Sequence, residues 1–431
     1  MGEQEHKVVI VGGGAGGLEL AAKLGRRFGP RHVLLVDKAP DHIWKPSLHE
    51  VAAGTLDIHR EGLSYAMLAR DCGFTFIYGE ATGVDREART VHLEPVLIDQ
   101  QEIFPARDLH YDTLVLAVGS RSNFFGTPGA REYAMALDST EQAERFRQRF
   151  LRRLVVANAN PAHSALEIAI VGGGATGVEL AAELVEACKN IGLYGLDQLD
   201  PARSVSITLL EGADRILSAL PEKMSSAAQR LLQQRGIQVR TSVRVASVQP
   251  DALQDAQGRS YPCDICVWAA GIEAPAFLAK LGLTVNRINQ VVVNGGLRTE
   301  DPAIYAIGDC AQAPWQNEGE YLPARAQVAH QQAAFLVPIL RDRIQGNETA
   351  PCRFRFRDYG SLVSVGHTRG VGSLMGVLSG KSWFIEGLVA RLMYMSLHLM
   401  HHLAVLGAAR TAVMALGRVL LKRSAPRVKL H

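Results

Sequence analysis

A stretch of fourteen residues occurs twice in this chain, and it limits the fold more than any other feature. Residues 11–24 read VGGGAGGLELAAKL and residues 171–184 read VGGGATGVELAAEL, eleven of the fourteen positions being identical at a constant offset of 160. Each copy follows a β-branched run (Val8 to Val11, Ile168 to Val171) and opens an apolar stretch of helical periodicity. Strand, glycine turn and helix in that order are the context in which G-x-G-x-x-G binds a dinucleotide. Gly12, Gly14 and Gly17 in the first copy, and Gly172, Gly174 and Gly177 in the second, permit a tight turn and close approach of the backbone to a pyrophosphate. That anion then lies at the positive N-terminus of the helix. One such turn is a weak signal. Two in near-identical wording predict two dinucleotides held face to face.

The remaining strands fit the same plan. Val33 to Val36 forms a strand ending at Asp37, twenty residues beyond Gly17, where a carboxylate takes the ribose hydroxyls of an adenosine. Val205 to Leu210 ends at Glu211 in the second unit, and the longer spacing is assigned to an insertion around residues 188–204. Glu211 repels the 2′-phosphate of a phosphorylated nicotinamide cofactor, with Arg215 close enough to act in the opposite sense. Leu114 to Gly119 and Cys266 to Gly271 echo one another as buried strands that end in glycine, and Ile304 to Ile307 leads into Gly308-Asp309. A helix is expected at 326–337, a small β section at 351–380, and apolar, basic helices over 384–421.

At 431 residues, with 47% hydrophobic residues and 41 glycines, the chain suits a multidomain α/β protein. The expected division is an FAD-type first unit from 1–125 and 276–340 and a second dinucleotide unit at 126–275. A β section at 341–385 and terminal helices at 386–431 complete it. The formal charge of +3 is unevenly placed: beyond Glu386 there is no acid but seven Lys and Arg, which leaves the body at about −4. Such a tail suits an anionic surface. The N-terminus runs into the first strand without a basic and apolar leader, which reads as no secretory signal and favours the cytosolic side. The six cysteines form no secreted framework. Cys263 and Cys266 make a C-x-x-C entering a strand, where alternate side chains point to opposite faces, an unfavourable geometry for a disulfide. A metal at that pair lacks further ligands, and no metal site and no nucleic-acid partner is expected.

Two glycine turns, an Ala-Val-Gly and an Ala-Ala-Gly strand end, and Ile-Gly-Asp near residue 308 together resemble the two-dinucleotide flavoprotein reductases. The resemblance implies FAD at the first turn, with Gly12, Gly14, Gly17, Asp37, Ala117, Gly119, Gly308 and Asp309. It implies NADH at the second, with Gly172, Gly174, Gly177, Glu179, Glu211, Ala270 and Gly271. Where disulfide reductases carry a redox cysteine the chain reads Trp44-Lys45-Pro46-Ser47-Leu48-His49-Glu50, which argues against a thiol relay.

The wording HIWKPSLHEVAAGTLD (42–57), AQVAHQQA (326–333), GSLVSVG (360–366) and PRVKLH (426–431) resembles the type II NADH:quinone dehydrogenases, especially the bacterial membrane-associated group. That family implies transfer of two electrons from NADH through FAD to a membrane quinone, ubiquinone or menaquinone, without proton pumping. It places Gln327 and Gln331 at the quinone side of the flavin, Ala326 and Lys45 beside the flavin, and Glu183 near the nicotinamide–quinone junction. Glu183 is where the internal repeat breaks, opposite Lys23, and a carboxylate of raised pKa there would help protonate a quinone. Its plain alternative is a surface helical glutamate, and that of the glutamines a polar helix face. His330 lies on a neighbouring side and reads as structural.

Residues 392–409 carry no Asp, Glu, Lys or Arg for eighteen residues, the lower limit for a spanning helix, yet three histidines interrupt them. This segment and 408–421 read as interfacial helices for anionic lipid, with a core helix or a homodimer face as the alternative. The expected fold is therefore α/β, with two Rossmann-like dinucleotide-binding domains and a C-terminal membrane-associating helical region. The expected place is peripheral, at the cytoplasmic face of a bacterial inner membrane. The rival readings are a soluble NADH-dependent reductase of a ferredoxin, disulfide or oxygen, a sulfide:quinone reductase, and a non-enzymatic redox sensor.

Overall fold

The computed structural model describes residues 6–159, 165–191, 205–315, 319–347, 352–366, 370–375 and 382–421. Its first sheet has seven strands. They include β1 (His6–Val11), β2 (Val33–Asp37), β3 (Thr75–Tyr78), β4 (Ala81–Asp85), β5 (Thr90–Leu93) and β6 (Arg107–Leu116), in the spatial order β3-β2-β1-β6-β5-β4. The strand Ile304–Ala306 adds in parallel to the end of β6. Val8, Val9, Ile10, Leu34, Leu35, Leu114, Val115 and Leu116 are fully buried, because a parallel sheet is covered on both faces. β6 changes character midway. Its alternating first half pairs antiparallel with β5, and its continuously apolar second half pairs parallel with β1.

The second sheet repeats the theme with β7 (Ala134–Met135), β8 (Leu166–Val171), β9 (Val205–Leu210), β10 (Gln238–Arg240) and β11 (Ile265–Trp268), all parallel, in the order β7-β11-β8-β9-β10. A third, antiparallel sheet contains β12 (Gly360–Ser364), β13 (Gly370–Met375) and β14 (Ser382–Gly387). The terminal helices were expected from residue 384, but β14 occupies residues 382–387. Its Trp-Phe-Ile run pairs residue by residue with β13, and tertiary pairing overrides a helical pattern at that boundary.

Seven helices carry the rest of the argument: α1 (Ala15–Phe28), α2 (Leu48–Ala53), α3 (Tyr65–Cys72), α4 (Ala175–Ile191), α5 (Ala326–Ile344), α6 (Leu388–Leu406) and α7 (Ala408–Leu421). α1 and α4 follow the two glycine turns. α5 packs along α1, α2 packs on α4, and α6 lies against α1 and the third sheet. Gly407, at φ 82°, breaks α6 from α7 in the left-handed region that glycine adopts freely. No helix among the described residues is long and apolar enough to cross a membrane. The tail residues 422–431 and most of the expected insertion at 188–204 lie outside the described residues.

Cys263 and Cys266 correct one expectation. β11 starts at Ile265, so Cys263 precedes the strand and the two-residue alternation does not govern it. Both side chains are buried in one cluster, as free cysteines.

Candidate functional site

The two glycine turns are the same object built twice. Gly12 N–H donates to Val36 O and Gly172 N–H to Leu210 O, both at 2.8 Å. Ala117 N–H donates to Val11 O and Ala269 N–H to Val171 O, again at 2.8 Å. Each first glycine has positive φ, 104° and 112°, and a Cβ there would strike the neighbouring strand end at Ala117 or Ala269. Each third glycine lets helix pack on strand: a Cβ on Gly17 would lie 1.9 Å from Gly12 O, and one on Gly177 2.0 Å from Gly172 O. The middle glycines differ. Around Gly14 and Gly174 a Cβ would meet nothing within 4 Å. Gly14 is the N-cap of α1 without a side-chain cap, so the first-turn N–H groups face that open space. This cradle of uncapped donors fits a pyrophosphate.

The acids that close the two turns are placed alike as well. Asp37 Oδ2 accepts from Gly13 N–H at 2.6 Å and Oδ1 from Ala39 N–H at 2.8 Å. Glu211 Oε2 accepts from Gly173 N–H at 2.6 Å and Oε1 from Ala213 N–H at 2.7 Å. Burial raises the Asp37 pKa above the ordinary carboxylate value, opposed by those two N–H donors. Two donors leave a carboxylate with acceptor capacity for ribose hydroxyls. Arg215 points away from the turn, its guanidinium bonded to the carbonyls of Leu220 and Ser218 at 2.9 and 2.7 Å. The side chain that the sequence offers to a 2′-phosphate is thus engaged with its own loop.

At the other end of the first crevice the structure gathers residues from four distant segments. Lys45 Nζ donates to Ser120 O at 2.6 Å, and Ser120 Oγ donates to Asp309 Oδ2 at 2.8 Å. Gly119 (φ 68°) and Gly308 (φ 71°) flank this group, and Gln332, 1% exposed, accepts from Gly308 N–H at 2.7 Å. Ala326 opens α5, whose N-cap Arg325 makes no side-chain cap. Gln327 and Gln331 share a face, as four-residue spacing requires. That face holds the Arg357–Tyr359 segment. Gln331 donates to Arg357 O at 2.8 Å and accepts from Arg357 N–H at 3.0 Å, while Gln327 bonds Asp358 Oδ1 at 3.2 Å and Tyr359 N–H at 3.3 Å. His330 pairs through Nδ1 with Glu19 Oε2 at 2.5 Å, Glu19 being fully buried and bonded to Lys23 as well.

Between the two turns, α2 and α4 bring acids and a histidine into contact. Glu179 and Glu183 are both buried, at 6% and 2% exposure. Glu179 accepts from Ser364 N–H at 3.0 Å and lies 3.5 Å from His49 Nδ1. Burial, reinforced by the nearby charges of Glu50 and Glu183, raises its pKa to about 8. Burial lowers that of His49 to about 4, so His49 is neutral near pH 7. Glu183 accepts from Thr55 Oγ1 at 2.5 Å. Glu179, whose pKa burial raises, lies one helical turn before the position where the repeat breaks.

Several residues of this site are invisible to sequence reasoning. His49, Thr55 and Gln332 lie inside quoted motif segments, but nothing in those segments gives their partners, which are 24 to 130 positions away. Phe125 is another. It is 62% exposed with a left-handed φ of 51°, and a Cβ on Gly271 would lie 2.2 Å from its ring. Its neighbours Gly126 and Gly129 were the available cue to an unusual turn. Ala270 O accepts from Trp268 Nε1 at 3.1 Å beside it. Cys310 follows Asp309 but is buried and bonded to the carbonyls of Leu116 and Ile307, and burial pushes its thiol up to about 12. It is no thiolate nucleophile.

Comparison with known proteins agrees with this geometry. The family model described as pyridine nucleotide-disulphide oxidoreductase matches residues 6–333. A type II NADH:quinone oxidoreductase of Haemophilus influenzae is 38% identical, the match covering 98% of this chain and 99% of the relative. Its counterpart in Mycobacterium tuberculosis is 28% identical over 92% of this chain and 83% of its own length. Among solved structures, the NDH2 protein of Plasmodium falciparum in complex with NADH superposes with a TM-score of 0.80 at 20% identity, covering 99% of both chains, a likeness of fold.

Proposed function

The chain belongs to the pyridine nucleotide-disulphide oxidoreductases and, within them, to the type II NADH:quinone oxidoreductases, and from that premise we propose how its own residues divide the work. The enzyme transfers two electrons from NADH through FAD to a quinone. When bound, FAD supplies the two-electron redox chemistry; the protein supplies binding, orientation and protons. The observation that carries the reading is the pair of superimposable turns whose open middle glycines and carboxylates give each dinucleotide its own cradle.

Gly12, Gly14 and Gly17 with the N-terminus of α1 hold the FAD pyrophosphate, and Asp37 takes the adenosine ribose. Lys45, Ser120 and Asp309 orient the ribityl and flavin end, with Ala117, Gly119 and Gly308 allowing close approach and Ala326 presenting the α5 N-terminus. Gly172, Gly174 and Gly177 hold NADH, and Glu211 excludes the 2′-phosphate. Ala270 and Gly271 form the floor on which Phe125 sits. Gln327 and Gln331 hold the Arg357–Tyr359 wall of the acceptor side. Glu179 keeps a proton on its carboxyl, about nine-tenths protonated at pH 7 for a pKa about one unit higher. It serves as proton store for the reduced quinone, with Glu183 beside it held by Thr55.

The quinone is lipid-soluble, and the face that reaches it is carried by α6 and α7. Met400, Leu403, Val413, Leu416 and Leu420 are 48–71% exposed, with Arg410 paired to Asp71 beside them. An exposed apolar row of this length on two basic helices fits adsorption to anionic lipid at the cytoplasmic leaflet. A second copy of this chain is the competing occupant of that face.

The test is steady-state turnover of the FAD-loaded protein with NADH or NADPH. The acceptor is either a long-chain quinone in anionic vesicles or a short-chain quinone in water. Preference for NADH and reduction of both quinones is expected. Equal use of NADPH would refute the role of Glu211, and reduction of neither quinone would refute the acceptor.

A further inference from the structure

The two glycine turns share their main hydrogen bonds but differ at one carbonyl, that of Gly13 or Gly173, and that difference leads to the C-terminal helix. In the second turn, the carbonyl of Gly173 accepts from Leu217 N–H at 2.7 Å, a backbone donor of its own unit. In the first turn, no backbone N–H does this among the described residues. The carbonyl of Gly13 is held instead by side chains: Tyr65 Oη donates to it at 2.7 Å, and His42 Nδ1 lies at 2.9 Å. His42 Nε2 in turn meets His401 Nε2 of α6 at 2.8 Å. His42 and His401 are each 4% exposed. Trp44 covers His401, with ring centroids 4.5 Å apart. Arg26 of α1 and the thiol of Cys72 of α3 both bond to the carbonyl of Val405, securing the end of α6 on the same unit.

The direction of this chain of bonds follows from valence. A carbonyl only accepts, so His42 Nδ1 carries the hydrogen. A neutral His42 then has a bare Nε2, and His401 must bring the Nε2–H. The Gly13 carbonyl belongs to the same planar trans peptide as the Gly14 N–H, which points the opposite way. Fixing that oxygen on the His42 side therefore aims the Gly14 N–H at the open space where the FAD pyrophosphate sits.

We propose that His401 is a positioning residue for FAD: the membrane-associating helix, through His42, orients the Gly13–Gly14 peptide of the flavin turn. The proposal rests on FAD occupying the first turn. It gives the C-terminal helix a second task besides reaching lipid, and it makes FAD retention depend on α6 being docked.

The relay also has a pH range. Burial lowers the His42 pKa to about 4 and holds that of His401 well below the ordinary histidine value. The groups facing the pair are His398 and His402 on α6, His330 on α5, Tyr65 on α3 and Glu61 in the shared cleft, with Asp37 and Asp41 behind Tyr65. Both imidazoles are neutral at pH 7. Because their folded pKa values are depressed, their contribution is fully present above pH 6.5 and is lost as pH falls toward about 4. Protonation sets one N–H against another and breaks the relay.

The experiment measures the rate of FAD release from the holoprotein, read as recovery of flavin fluorescence, together with NADH binding at the second turn. At pH 7.5, His401→Leu is expected to release FAD about five- to tenfold faster, the size of one lost hydrogen bond, with NADH affinity unchanged. His401→Gln restores an N–H donor and is expected to retain FAD like the wild type. Its amide can turn to accept from a protonated His42, so it loses most of the acceleration that wild type shows between pH 6.5 and 4.5. If His401→Leu does not fold, the pH profile of His401→Gln decides alone. Release at the wild-type rate in His401→Leu, or a wild-type pH profile in His401→Gln, overturns the proposal. A wild-type protein that holds no FAD overturns the cofactor assignment itself, and is recognised before any variant is compared.

Discussion

At the scale of single residues, burial marks a second acid beside the one that the repeat singles out: Glu179, one helical turn before Glu183. The repeat breaks at Glu183, and that break is what sequence comparison within the chain can see. It cannot see burial. Glu179 lies one turn earlier, under β12 and beside His49, and desolvation raises its pKa to about 8. A raised folded pKa means the stabilising protonated form is fully kept below the unfolded value of about 4.5 and lost as pH rises through about 8. Glu179→Gln is therefore expected to flatten the fall in Tm across that window, measured by calorimetry from pH 5 to 9. The same variant should slow quinone reduction by about a hundredfold, the usual scale for losing a general acid. Reduction of ferricyanide, which takes no proton, should be nearly unaffected. An unchanged pH–rate profile for quinone would remove Glu179 from proton supply.

At the scale of elements, the strand–turn–helix units were legible because their constraints are local. A positive φ, a backbone contact under 3 Å and an uncapped helix start each demand glycine, and demand it at fixed spacing. The structure separates two kinds of glycine that look identical in the motif. Gly177→Ala places a Cβ against Gly172 O, a backbone atom that cannot yield, and should cost about 3 kcal/mol of stability in denaturant titration. Gly174→Ala enters open space and should leave stability intact. It should raise the KM for NADH about tenfold or more by displacing the pyrophosphate. Equal effects of the two substitutions on stability would refute this division. The C-x-x-C was misread for the opposite reason. Cys263 stands two residues before β11 begins, outside the strand whose alternation was used to place it.

At the scale of the whole molecule, the apolar row on α6 and α7 stays exposed among the described residues. Leu416→Asp with Leu420→Asp should lower association with anionic vesicles by at least about a hundredfold, from loss of two buried leucines. It should leave short-chain quinone reduction in water unchanged. Vesicle binding at the wild-type level, with a loss of dimer by analytical ultracentrifugation, would assign the row to a second copy instead. The tail is also tied to the body at Arg410–Asp71, Arg26–Val405 and His401–His42, spans of 339, 379 and 359 residues. Sequence reading treated the tail as an anchor added to a finished enzyme. The fold makes it part of the flavin unit.

The sequence by itself determined the α/β class, the two dinucleotide turns, the acids that close them and the family. The first three rest on short-range rules, namely strand alternation, helix periodicity, and glycine where backbone meets backbone, and the family on resemblance in wording. Only the tertiary structure decided that Glu179 is buried against Ser364 and His49, what the two α5 glutamines hold, and which side chains support the Gly13 carbonyl. Those depend on desolvation and on partners tens to hundreds of residues away, and no local pattern records a distance that packing alone creates.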